Sequence, residues 1–98
     1  MRIIDEIGKA AMLEQLAEEC TELAKAALKM ARIIRNENPT PVTEEEAIAN
    51  IREEYTDVVQ CAGELSLTVD DEQMMRKHER WEKRVREKVW TSYHSDIA

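Results

Sequence analysis

Residues 9–35 read KAAMLEQLAEECTELAKAALKMARIIR, and this stretch decides the fold. Met12, Leu16, Leu23, Ala27, Met30 and Ile34, joined by Leu13, Cys20 and Ala31, recur with the period of an amphipathic helix. Strong helix formers fill the run, and neither Gly nor Pro interrupts it. At 1.5 Å per residue such a helix extends roughly 40 Å, whereas a compact chain of this size has a radius of gyration of about 13 Å. A helix that overhangs its own fold is expected to complete its core against a second copy.

On the N-terminal side, residues 2–7 predict a short helical turn ending at Gly8. On the C-terminal side, Pro39 and Pro41 within Asn36–Val42 end the helix, because two prolines one residue apart cannot continue its hydrogen bonding. Thr43, with Glu46 three residues on, is a capping box that opens a second helix, whose apolar face is Ile48, Ile51, Tyr55, Val58, Val59, Ala62 and Leu65. Asp70 or Asp71 can cap a third, running to about Val89 or Trp90 with the stripe Met74, His78, Trp81, Val85 and Val89. Residues 91–98 lack periodicity and are expected to be loose or to pack on a neighbouring subunit. The expected fold is all-α: one domain over residues 1–98, an antiparallel bundle of three long helices plus a short N-terminal helix, completed as a homodimer or homotetramer.

Composition agrees and narrows the function. Two glycines, two prolines and no phenylalanine among 98 residues leave little material for strands and turns. A net charge of −7 argues against a nucleic-acid partner, since binding a phosphate backbone needs cationic surface. The basic residues nevertheless crowd late in the chain, in Arg76, Lys77, Arg80, Lys83, Arg84, Arg86 and Lys88. Cys20 and Cys61 have no CxxC pairing and read as reduced, structural thiols. The opening MRIIDEIGK lacks a signal-peptide pattern and no run reaches membrane-spanning length, so a cytoplasmic location is expected.

The chemistry-bearing residues are acids at i,i+3. Glu19 lies about 60° and Glu22 about 120° from the centre of the first apolar stripe, while Glu54 and Asp57 lie about 100° to 160° from that of the second helix. Two such pairs suit a hard divalent cation, which takes oxygen ligands. The same spacing also describes an ordinary solvated helix face, but here apolar residues directly adjoin the acids in Glu18-Glu19-Cys-Thr-Glu22-Leu23 and Glu53-Glu54-Tyr-Thr-Asp57-Val58.

These two segments resemble the paired ExxE and ExxD signature of the MazG-like, all-α nucleoside triphosphate pyrophosphohydrolases. LAEECTELAKA looks like the first motif helix of that family and EEYTDVV like its second, and residues 77–84, KHERWEKR, are similar to the basic helix that meets the triphosphate. The resemblance covers roughly residues 10–86. It implies hydrolysis between the α and β phosphates, giving a nucleoside monophosphate and pyrophosphate. Glu19, Glu22, Glu54 and Asp57 would hold Mg2+, or Mn2+ in its place. One acid of the group that includes Glu18, Glu19 and Glu22 would orient or deprotonate the attacking water. Lys77, Arg80 and Arg84, at i, i+3 and i+7, would meet the phosphates. Asn50 is a candidate for the sugar or base, and Trp81 for stacking on the base, though a tryptophan in a helix stripe also reads as core. His78, on the same stripe, reads as a packing residue.

Two other readings compete. A di-iron carboxylate bundle needs Glu-x-x-His pairs, and neither His78 nor His94 stands three residues after a glutamate. A non-catalytic helical oligomerisation or regulatory module that binds nucleotides would need only the stripes and charged faces.

Overall fold

The computed structural model describes residues 1–37 and 41–87, and all of its regular structure is helical: α1 (Ile3–Ile7), α2 (Lys9–Arg35), α3 (Glu44–Glu64) and α4 (Asp71–Arg86). The third long helix is described as far as Arg86; the expected end at Val89 or Trp90 and the segment 91–98 lie outside the described residues. No helix among the described residues is long and apolar enough to cross a membrane. The contacts divide the chain into two compact units, Met1–Thr68 and Val69–Ala98.

The caps follow from the local sequence. The Thr43 hydroxyl accepts from the Glu46 N–H at 3.1 Å, and the Asp70 carboxylate from the Gln73 N–H at 2.9 Å. Helices α2 and α3 both end in Schellman motifs. In α2 the Glu37 N–H reaches the Arg32 carbonyl and the Asn36 N–H the Ile33 carbonyl, with Asn36 left-handed at φ 57°. In α3 the Leu67 N–H reaches Ala62 and the Ser66 N–H reaches Gly63, with Ser66 at φ 57°. The left-handed backbone itself disfavours serine, and its hydroxyl accepts only a long, exposed 3.4 Å bond from Arg2, so Ser66→Gly is expected to raise the unfolding free energy by about 0.5 kcal/mol in urea titrations.

The first unit is built on an antiparallel α2–α3 hairpin. Met12, Leu16, Glu19, Leu23, Ala26, Met30 and Ile33 of α2 are buried or half-buried, and so are Ala47, Ile51, Glu54, Val58, Cys61 and Leu65 of α3. Both series alternate steps of three and four, the spacing of a coiled-coil seam. Met12 at one end of α2 and Cys61 near the far end of α3 line the same hollow, which fixes the antiparallel sense. Helix α1 is pinned to this frame by Glu64, whose carboxylate accepts from the Ile4 N–H at 2.7 Å and whose carbonyl accepts from the Arg2 guanidinium.

The sequence-based stripe of α2 mixes two seams. Leu13, Ala17, Cys20, Ala24, Ala27 and Ile34, one residue beyond the buried series, are exposed, Leu13 at 47% and Ile34 at 61%. On α3 the corresponding exposed residues are Ile48, Arg52, Tyr55 and Val59. An advance of one residue turns a helix by 100°, and in an antiparallel pair both rotations lead to the same side. The hairpin therefore has one largely apolar outer face, interrupted by Arg52. Its opposite side, one residue before each seam, carries Gln15, Glu18, Glu22, Lys25, Lys29 and Arg32 from α2, with Asn50, Glu53, Asp57, Gln60 and Glu64 from α3.

In the second unit, α4 has acidic residues in its first turn and Lys83, Arg84 and Arg86 in its last, which complements the helix dipole. Glu82 accepts from Arg86 and lies 3.7 Å from His78. Met74, Met75, Trp81 and Val85 are all exposed.

Candidate metal centre

Two positions of the hairpin seam hold carboxylates where a coiled coil would place aliphatic side chains: Glu19, between Leu16 and Leu23, and Glu54, between Ile51 and Val58. Both are half-buried, as is Asp57 one turn beyond Glu54. Ligand oxygens of Glu19, Glu54 and Asp57 all lie within 4.8 Å of one another. Oxygens around an octahedral magnesium at about 2.1 Å are separated by about 2.9 to 4.2 Å, a spacing the three carboxylates could meet with small side-chain adjustments.

The electrostatics point the same way. The Glu54 carboxyl is held above its ordinary value of 4.5, first by desolvation in the seam and then by Asp57, Glu53, Glu22 and Glu19. Below pH 4.5 the group is protonated whether the chain is folded or not, and it contributes no penalty. As pH rises past 4.5 the unfolded chain releases its proton first, so ionisation works against folding until the folded-state pKa is passed. Glu54→Gln is therefore expected to gain stability relative to the unsubstituted protein as pH rises from 4 to 7 without divalent cations. Chemical denaturation across that range measures the difference, and added magnesium should remove it.

The sequence-derived site residues fall into three groups. Glu19, Glu54 and Asp57 converge. Glu22, Glu18 and Asn50 are exposed on the polar side of the hairpin; Glu22 pairs with Lys25 at 3.4 Å, and its charge still bears on Glu54. Lys77, Arg80, Trp81 and Arg84 belong to α4 in the second unit, all exposed, with Trp81 beside His78, Glu82 and Val85 along one hollow. Glu54 is deeper than its helical-wheel position implied, because α3 turns Ala47 and Cys61 inward and leaves Ile48, Tyr55 and Val59 outside. Burial, followed by the charges of Glu19 and Asp57, pushes the Cys61 thiol up, which keeps it protonated and unreactive; Cys20 is exposed on the outer face.

Two residues carried no recognisable signal in the sequence. The Gln15 carboxamide donates to Glu19 at 2.7 Å, and Gln60 lies one turn beyond Asp57. Their only mark is spacing, four residues before one acid and three after another. Together the fold and site define a helical-hairpin protein with a carboxylate centre set into its seam. Comparison with protein-family models, curated proteins and solved structures finds no match to the chain.

Proposed function

We propose that the protein is a magnesium-dependent nucleoside triphosphate pyrophosphohydrolase of the MazG-like kind, acting on standard or modified nucleotides as a cytoplasmic homo-oligomer. The observation that carries the proposal is the convergence of three half-buried carboxylates, Glu19 and Glu54 at seam positions and Asp57 beside the seam. Aliphatic side chains at the two seam positions would pack better, and desolvation followed by repulsion from the neighbouring acids raises the Glu54 pKa, so a cation that relieves the charge would account for the arrangement. All three donors are carboxylate oxygens, the ligand type magnesium prefers, and manganese is the natural substitute.

Glu19, Glu54 and Asp57 would hold the ion, with Glu22 joining once released from Lys25. Bound there, the metal would neutralise phosphate charge and acidify a coordinated water. Glu18 and Glu22, on the solvated side, are the acids available to orient that water or take its proton. The resemblance assigns the triphosphate to Lys77, Arg80 and Arg84, where they would stabilise charge on the leaving pyrophosphate; Asn50 and Trp81 are candidates for the nucleoside by residue type alone.

The outer face of the hairpin supports assembly. Ala17, Cys20, Ala24 and Ala27 form a row of small side chains between Leu13 and Ile34, so a second copy of α2 could approach closely while burying both ends. A screen of ribo-, deoxyribo- and modified nucleoside triphosphates, with magnesium or with EDTA, tests the activity. Pyrophosphate and monophosphate in equal amounts are expected with metal alone. Absence of pyrophosphate from every substrate, in a correctly assembled protein, overturns the reading.

A further inference from the structure

We propose that the hollow beside the carboxylate centre seats the nucleobase, and that Gln60 and Gln15 read its hydrogen-bonding edge; the proposal rests on the nucleotide-hydrolase reading above. The hollow lies at the open end of the hairpin, under α1, and holds about 430 Å3. That is within the range of small-molecule sites, roughly 300 to 1,000 Å3. Its wall is divided by chemistry. Ile3 and Ile7 of α1, with Met12 of α2, supply apolar surface; Gln15 and Gln60 supply the amides; Glu19 and Asp57 belong to both the hollow and the metal cluster.

A molecule that fills this space has an apolar body, a polar edge and one end at the cation. A nucleotide has that order of parts: a flat heterocycle whose faces favour hydrocarbon contact, an edge of donors and acceptors, and a phosphate that a divalent ion binds. A carboxamide offers donors and an acceptor, so it can complement a base edge, which a carboxylate cannot do alone. Gln15 already donates to Glu19, and its carbonyl is the atom left to accept from a base N–H. Gln60 has both ends of its amide to offer. The base would then lie toward Met12 and α1, in a hollow whose lining does not include Asn50, and the phosphates would start at the cluster.

The test uses the protein as purified, with isotope-labelled glutamine amides and isoleucine methyls. It is titrated in magnesium with each of the common nucleosides and, separately, with tripolyphosphate. At least one nucleoside is expected to shift the Gln60 amide and the Ile7 methyl, where tripolyphosphate does not. Gln60→Leu, a change at an exposed position that leaves the fold intact, is expected to weaken that nucleoside about tenfold, the loss of one or two neutral hydrogen bonds. If no nucleoside shifts the hollow, or if Gln60→Leu leaves the Kd within twofold, the proposal is overturned. Pyrophosphate release from the same preparation separates the two readings. Nucleoside binding in the hollow without hydrolysis sinks the enzyme and keeps the base site, whereas hydrolysis with a silent hollow sinks the base site alone.

Discussion

Glu54→Gln is expected to reduce magnesium-dependent pyrophosphate release by about 100-fold or more while making the metal-free protein more stable at neutral pH. The opposite signs follow from one cause. Glu54 is the seam carboxylate on α3, desolvated and surrounded by Asp57, Glu53, Glu22 and Glu19. Its charge is a liability to the empty fold and an asset to a bound cation. Gln keeps the size and one oxygen but removes the charge, so the ion loses a ligand of the kind it prefers. Steady-state assays with a coupled pyrophosphate readout measure the first effect, and thermal unfolding with and without magnesium the second. The unsubstituted protein should gain thermal stability on adding magnesium, because a ligand that binds only the folded state stabilises it; the variant should gain little. If the variant keeps its activity and its metal response, Glu54 is a structural residue and the proposed centre is wrong.

Ala24→Glu is expected to convert the protein to monomers at micromolar concentration, weakening self-association by at least about 100-fold. Ala24 sits mid-way along the exposed seam of α2, with Cys20 and Ala27 one turn to either side. In a symmetric interface the substitution enters twice and leaves two carboxylates without partners, each costing several kcal/mol when desolvated. On a solvated helix face the same change costs only a few tenths of a kcal/mol, since Glu is a good helix former. Sedimentation equilibrium therefore distinguishes an interface from an ordinary surface, and circular dichroism confirms that the helices persist. Identical association states for the two proteins would remove the assembly from the proposed function.

Much of the secondary structure was legible because its causes are local. The uninterrupted helix formers of residues 9–35, the Pro39 and Pro41 stop, the Thr43 cap and Asp70 at the head of α4 act within a few residues of themselves. Boundaries predicted from them match α1, α2 and the start of α3. The candidate acids were also visible, since apolar residues adjoining Glu19 and Glu54 in sequence marked them as unlike a plain solvated face. What could not be read was depth. A helical wheel averages the apolar residues into one stripe, yet α2 has two seams, and only contact with α3 selects Met12, Ala26 and Met30 for burial over Leu13, Ala27 and Ile34.

The sequence by itself therefore determined an all-helical chain and the extents of α1 and α2, because helix periodicity, caps and proline geometry are properties of neighbouring residues. Only the tertiary structure decided that Glu19, Glu54 and Asp57 meet while Glu22 turns to Lys25, and that Gln15 and Gln60 stand beside them. That choice depends on how two helices far apart in sequence rotate against each other. A rotation of one residue, 100°, would place every one of these side chains on another side of the hairpin.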